Sequence, residues 1–314
     1  MGEIVPPESV ALHRFAVVTA VATLALIVAG GFVTSTESGL SVPDWPLSYG
    51  RLMPPMVGGV RYEHGHRMVA TAVGVLTVIL AIWLGRKEPR RWVRRLGLLA
   101  VAAVVAQGVL GGLTVIFLLP TAVSVAHACL AQTFFCLTVA IAVVTSPRWD
   151  PAGGRREPLT QLAGLTAGAV FLQLAIGAVM RHTKAGLAIP DFPLSLGRIV
   201  PPIDSFPVAI AFVHRAWALV VAGLVLATVS AALRSGPRRT GLFLGALVLA
   251  QIALGALTVL SRKNVAITTA HVATGALLLG TSVALSLGSS RLRSLSRHSR
   301  SERRGAVPIL LSEP

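Results

Sequence analysis

The residues best suited to chemistry are four histidines at the starts of long apolar segments. They are His66, His127, His214 and His271. A single histidine in a membrane-length segment is more often a hydrogen-bonding residue than a ligand. Four in matched pairs favour ligation, because two imidazoles that face each other across a helical bundle suit the iron of a haem. A tetrahedral zinc site is less favoured, since the spacing supplies no carboxylate or thiol to complete it.

Glu63 is the carboxylate that stands closest in sequence to these histidines. It precedes His66 by three residues, and positions i and i+3 share one face of a helix. His64 would then point elsewhere. A charged group at the mouth of a membrane-length helix is costly, so Glu63 is a candidate functional residue. The simpler alternative is that Glu63 only pairs with Arg67, four residues further on.

The two halves of the chain differ at this position. Ala211 stands three residues before His214, where the first half has Glu63 before His66. Two equivalent electron-transfer haems would not need this difference. One working site and one supporting haem would explain it.

Membrane helices must position these residues. Of the 314 residues, 54% are hydrophobic and 13% are charged, with a mean hydropathy of +0.75, whereas a soluble domain carries about 25% charged residues. The net charge of +16 does not indicate nucleic-acid binding, because the basic residues stand in short blocks between apolar segments. The composition therefore predicts an all-α integral membrane protein with no nucleic-acid partner.

Apolar windows of about 20 residues predict eight transmembrane helices. They are Phe15–Val33, Met68–Gly85, Leu96–Phe117, Val125–Val144, Leu162–Met180, Ile210–Leu233, Gly241–Leu260 and Ile267–Leu287. Of the 28 lysines and arginines, 19 fall on one side of this topology, so both termini are expected in the cytoplasm. The two longest loops, Thr34–Tyr62 and Arg181–Val208, would then face outward, and the histidines would lie near the outer face of the cell membrane.

The two outer loops are copies of one another. The pattern G-L-x-x-P-D-[WF]-P-L-S-x-G-R-x-x-P-P begins at Gly39 and again at Gly186, an offset of 147 residues. Prolines fix such turns, and Trp45 or Phe192 could cap a pocket, so each loop is predicted to form a lid. The repeat extends into the helices, where Q-x3-G-x2-T begins at residues 107 and 251.

This repeat predicts two tandem four-helix bundles related by pseudo-twofold symmetry. The first unit would span residues 1–150 and the second residues 151–290. Residues 291–314 would form a basic, disordered cytoplasmic tail. Small residues near the histidines would leave room for a flat macrocycle, although they also favour ordinary helix packing. They are Gly111, Gly112, Ala128 and Gly275.

Together these features resemble the haem A synthase family of bacteria and mitochondria. The resemblance covers essentially the whole chain: the eight spans, the two halves, the four histidines and the E-x-x-H-R segment that begins at Glu63. The S-G-L-x-x-P-D-W-P-L segment from Ser38 and the R-H-T-x-x-G-L segment from Arg181 also look like the family.

The resemblance implies a reaction. Members of the family convert haem O to haem A, for use in terminal oxidases, by oxidising a porphyrin methyl group to a formyl group through a hydroxymethyl intermediate. It implies that His214 and His271 ligate a haem b in the second half, and that His66 and His127 hold the substrate haem in the first. Glu63 would be the catalytic carboxylate, and both proton transfer and stabilisation of positive charge stay open as its role.

The resemblance also implies partners. Four arginines near the outer face could pair with haem propionates, although each could instead position a lipid headgroup or a loop carboxylate. They are Arg67, Arg215, Arg181 and Arg198. Membrane lipid, an electron donor and a haem O synthase are further expected partners, and a homo-oligomer stays open.

The chain departs from many bacterial members of the family in its first outer loop. Those members carry a cysteine pair that flanks the P-D-W-P-L segment, whereas Val42 and Ser48 stand in that neighbourhood here. The two cysteines of the chain, Cys129 and Cys136, lie in the fourth span and do not replace the pair. A loop disulfide is therefore not expected to take part in redox transfer.

Two other functions stay as alternatives. A quinol-linked electron-transfer protein with two b-type haems would leave the porphyrin unchanged, but it does not explain the difference between Glu63 and Ala211. A transporter built from repeats would have helices broken by Gly or Pro near mid-membrane, and the predicted spans contain no internal proline.

Overall fold

The computed structural model describes residues 7–147, 149, 158–235 and 237–288. Within these residues the chain forms eight helices that are long and apolar enough to cross a membrane. They are α1 (Pro7–Ser35), α2 (Val60–Lys87), α3 (Arg91–Ile116), α4 (Thr121–Val144), α5 (Pro158–His182), α6 (Phe206–Ser235), α7 (Arg238–Leu260) and α8 (Val265–Gly288). The predicted all-α membrane fold with eight spans is confirmed. The predicted basic tail at residues 291–314 lies outside the described residues.

The helices extend beyond the apolar windows, and α2 shows the physical reason. It begins at Val60, although its window begins only at Met68. The additional turns carry Glu63 and His64, which are buried, and Arg67, whose guanidinium bonds the outer loop. A hydropathy window assigns these residues to the loop. It scores their polarity and takes no account of the hydrogen bonds that allow polar side chains to be buried in a helix.

The helices pack in two sets of four. In the first set α1, α2, α3 and α4 each contact the next helix, and α4 closes the ring against α1; α5 to α8 do the same. Consequently α2 lies diagonally opposite α4, and α6 lies diagonally opposite α8. The two sets meet through α1, α4, α5 and α8. The pseudo-twofold relation between the sets stays a prediction.

Each set has its own apolar core. Leu80, Phe134 and Ile141 are among the buried residues of the first core, and a separate buried cluster fills the second set. Between the sets, α4 and α8 approach so closely that a Cβ added at Gly280 would lie 2.7 Å from Cε1 of Phe135. Lipid is as apolar as a protein core, so this close packing, rather than exclusion of water, holds the helices together.

The two outer loops contain the same turn. Asp44 accepts the backbone N–H groups of Tyr49 and Gly50 at 2.6 and 2.8 Å. Asp191 accepts those of Leu196 and Gly197, both at 2.8 Å. Gly50 and Gly197 have φ values of +68° and +72°, a region that glycine adopts without steric cost. Each loop also contains one cis X-Pro bond, at Trp45–Pro46 and Phe192–Pro193.

Acid is expected to weaken this turn. The N–H of Gly50, and after it that of Tyr49, lowers the pKa of Asp44 below its ordinary value. The stability that the carboxylate adds is therefore complete above the ordinary aspartate pKa, and it is lost as the pH falls through the lowered pKa of the folded state. Amide exchange at Tyr49 and Gly50 should show this loss. In Asp44→Asn the two amides should exchange faster at neutral pH, and their protection should no longer fall as the pH is lowered. If the same acid-dependent loss of protection persists in this variant, Asp44 is not the group that stabilises the turn.

Candidate haem sites

The structure places the four predicted histidines in two pairs. His66 on α2 and His127 on α4 belong to diagonal helices of the first set, and His214 on α6 and His271 on α8 belong to diagonal helices of the second. Because the helices of each pair are diagonal, each pair spans the middle of its four-helix set. Within the part of the chain that the structure describes, no group of three or more His, Cys, Asp or Glu side chains is placed to hold a metal ion. Two histidines per set suit a haem iron better than a tetrahedral metal site.

A glycine on the neighbouring helix faces each histidine. A Cβ added at any of these glycines would lie 3.0 to 3.2 Å from Cε1 of the imidazole, which is tighter than ordinary contact. The pairs are Gly30 with His66, Gly111 with His127, Gly177 with His214, and Gly255 with His271. Each glycine therefore makes room for a ring that any larger residue would displace.

Several ring nitrogens at these positions lack a partner among the residues that the structure describes. Nδ1 of His66, His127 and His271 is buried there without a hydrogen bond. A buried polar atom without a partner is costly, and it is expected where a group outside the chain completes the site. Diagonal imidazoles, glycines that clear space beside them and unpartnered nitrogens together fit a haem in each set.

Glu63 is almost fully buried, with 4% of its surface exposed. Its Oε1 accepts a hydrogen bond from Nη2 of Arg67 at 2.7 Å, so the ion pair that the spacing predicts is present. Its Oε2 accepts the backbone N–H of Val42 at 2.8 Å. Glu63 therefore does more than pair with Arg67, because its carboxylate also holds the outer loop; its catalytic role stays a prediction beside this structural one.

His64 contacts the outer loop as well. It is buried, and its Nδ1 lies 2.8 Å from Oγ of Ser48. Phe212 takes the corresponding position in the second half. Ala211, which corresponds to Glu63, packs with Ile189 in a small apolar cluster. Polar groups thus tie the first loop to its helix at positions where the second half has apolar packing.

The four predicted propionate-binding arginines differ in their surroundings. Nη1 of Arg67 donates to the backbone carbonyls of Asp44 and Leu47, both at 2.8 Å. Arg215 holds the second loop in the same manner, at 2.8 and 2.9 Å. Arg181 donates to Oγ of Ser35 at 2.7 Å and so joins α5 to α1.

The fourth, Arg198, lies in the exposed turn of the second loop, where its N–H bonds the carbonyl of Ser195. Propionate contact by any of the four stays a prediction.

The first loop lies over its helices as the lid interpretation predicts. The indole of Trp45 packs so closely on α3 that a Cβ at Gly112 would lie 2.7 Å from the ring. The space beside Gly112 is therefore filled by the loop and is not open to a macrocycle. Gly275 is likewise covered by Leu174 and Gln251, each within about 3 Å of an added Cβ.

Comparison with known proteins places the chain in a family. The family model for the cytochrome oxidase assembly protein, COX15-CtaA, matches residues 13–58 and 60–283, a range that includes Glu63 and all four histidines. The chain belongs to this family.

Relatives in the same family support the match over most of the chain. A Heme A synthase from Symbiobacterium thermophilum is 33% identical over 263 residues, which cover 78% of this chain and 84% of that protein. Heme A synthases from Halalkalibacterium halodurans and Beijerinckia indica are 32% and 31% identical, over 68% and 84% of this chain and 74% and 89% of theirs.

Proposed function

We propose that the chain is a haem A synthase, a membrane enzyme that oxidises a methyl group of haem O to a formyl group through a hydroxymethyl intermediate. The observation that carries this proposal is the pair of histidines on diagonal helices of each four-helix set, within a chain whose relatives bear that enzyme's name. The difference between Glu63 and Ala211 favours one reacting site and one supporting site. It gives no support to an electron-transfer protein with two equivalent haems.

We propose a division of labour between the two sets. Residues 1–150 hold the substrate haem through His66 and His127, and residues 151–290 hold haem b through His214 and His271. Haem b, when bound, supplies one-electron transfer between a donor and the reacting site. The protein lies in the cell membrane with both termini in the cytoplasm and both haem sites near the outer face. This orientation rests on the basic residues between the spans.

The contacts of Glu63 favour one of its two candidate roles. Both carboxylate oxygens already accept hydrogen bonds, one from a guanidinium and one from a backbone N–H. An ionised carboxylate held in this way is a fixed negative charge, suited to stabilising positive charge that develops on the substrate. We infer that Glu63 acts through its charge, while Arg67 holds both Glu63 and the loop in place. The arginines could share their guanidinium groups with the haem propionates.

The reaction is tested in a host that makes haem O but not haem A. The chain is expressed there, the haems are extracted, and they are identified by mass. Haem with a formyl group should appear only when the chain is present. A folded, haem-loaded protein that yields no formyl or hydroxymethyl product would contradict the proposal.

Gly177→Ala is expected to weaken the binding of haem b. The added Cβ would lie 3.0 Å from Cε1 of His214 and would displace the ring. A loss of about tenfold in affinity is expected, the lower end of the range for residues that support a metal ligand. Gly168→Ala is the matched control on the same helix, because its Cβ would meet nothing within 4 Å. Haem b content per purified protein is the measurement, and equal content in both variants would contradict the role given to Gly177.

A further inference from the structure

Three of the four histidine-facing helices carry a glutamine four residues before the glycine. Residues i and i+4 share one face of a helix, so this glutamine and the glycine face the same histidine. Nε2 of Gln173 on α5 donates to the backbone carbonyl of His214 at 2.9 Å and lies 3.3 Å from each ring nitrogen. Gln107 on α3 bonds the carbonyl of His127 in the same way, at 2.9 Å.

Gln251 on α7 makes a looser contact of the same kind. Its Nε2 lies 3.5 Å from Nε2 of His271. Each of these three histidines is therefore reached by an amide from the helix beside it.

The remaining helix, α1, has Leu26 at this position, four residues before Gly30. Leu26 is partly buried and packs against the apolar core of the first set. The position that carries the amide of Gln173 in the second half thus carries an apolar side chain in the first.

The polar contacts near His66 run instead to the outer loop. Glu63 accepts the N–H of Val42, and His64 bonds Ser48. In the second half these two helix positions are apolar, and the amide of Gln173 ties α6 to α5 at the histidine itself. Each helix is tied to its outer loop by an arginine, Arg67 or Arg215. Beyond that, α2 is tied to the loop through Glu63 and His64, whereas α6 is tied to α5 through Gln173.

We propose that Leu26 and Gln173, equivalent residues of the two halves, are positioning residues. Leu26 allows the first site to release its haem readily, and Gln173 makes the second site hold its haem. This rests on the proposed function, in which haem O must enter and haem A must leave one site while haem b stays in the other. Without water in the membrane, a hydrogen bond between helices has no ready replacement once it breaks. The helix that carries His214 therefore resists moving away from α5. Leu26 can supply no such bond between α1 and the helix that carries His66.

The test exchanges the two residues. Gln173→Leu and Leu26→Gln are purified with bound haem and mixed with excess apomyoglobin, which captures released haem, and the transfer is followed by absorbance. Gln173→Leu should speed the loss of haem b by about three- to twenty-fold, the range expected for one hydrogen bond between membrane helices. Leu26→Gln should slow the release of haem O loaded into the first site by a similar factor. Haem O and haem b are told apart by extraction and mass.

Matched variants separate positioning from general damage. Gln173→Met keeps the length of the side chain without the amide, and it should release haem b as fast as Gln173→Leu. It replaces Gln173→Leu in the test if the branched leucine disturbs folding. Thr228→Val removes a buried hydrogen bond of 2.8 Å to Thr166 in the same helical set. Thr228 lies about 20 Å along α6 from His214, so this change should leave haem exchange unchanged. The absorption spectrum of the bound haem b should stay the same in all variants, since the axial ligands are intact.

The outcomes distinguish this inference from the proposed function. If the wild type converts haem O but both exchanged variants release haem at wild-type rates, the positioning role is overturned and the function stands. If the wild type does not convert haem O, the function fails, while opposite changes in the two exchange rates would still support the positioning role. Equal acceleration by Gln173→Leu and Thr228→Val would overturn it.

Discussion

Alanine at His214 or His271 is expected to abolish binding of haem b, whereas alanine at His66 or His127 is expected to leave haem b in place. Removal of an axial ligand should lower haem affinity by more than about 100-fold, beyond the range for losing an outer partner of a metal ligand. Each of the four histidines lies against a glycine of the neighbouring helix, so the alanine substitution removes a ring from the same kind of contact in every variant. A difference between the variants therefore reports which set holds haem b.

The measurement is the haem b content of each purified variant, together with haem A formation in cells that supply haem O. His66→Ala and His127→Ala should contain haem b at the wild-type level and form no haem A. His214→Ala with full haem b content would show that the ligand assignment is wrong. Loss of haem b from His66→Ala alone would reverse the assignment of the two sets.

Hydropathy and repetition made much of this arrangement predictable. A membrane demands about 20 apolar residues per helix, so the spans follow from the sequence alone. The repeat then pairs His66 with His214 and His127 with His271, and it isolates Glu63 as a difference between the halves. These inferences need no knowledge of which helices touch.

Contacts between helices were not predictable in this way. The glycines opposite the histidines become meaningful only when α1 is known to lie beside α2, and α5 beside α6. The hydrogen bond from the N–H of Val42 to Glu63 joins residues 21 positions apart. It depends on the path of the outer loop, which helix periodicity does not predict. One signal was present in the sequence, because Gln173 precedes Gly177 by four residues just as Gln107 precedes Gly111. The same comparison shows that Leu26 stands four residues before Gly30, where the other three helices have a glutamine.

Glu63→Gln is expected to lower haem A formation by about 100-fold while haem b stays bound, the scale for removing one preorganised electrostatic group from an active site. Glutamine keeps the size of the side chain but removes the negative charge. The amide of glutamine also places an N–H donor where the carboxylate now accepts a hydrogen bond from Arg67 or Val42, so two donors would face each other. Haem A and haem b are quantified in the same extracts, so a loss of folding would appear as a loss of both.

A purely structural role for Glu63 predicts a different pattern. If the carboxylate only ties down the outer loop, other contacts of that loop should matter as much. Ser48→Ala removes the hydroxyl that bonds His64 and Arg67 without changing any charge. Comparable losses in Glu63→Gln and Ser48→Ala would identify loop anchoring as the cause. Retained activity in Ser48→Ala, and in Glu37→Gln at an exposed carboxylate of the same loop, would assign the effect to the buried charge of Glu63. Wild-type haem A formation by Glu63→Gln would remove Glu63 from the mechanism.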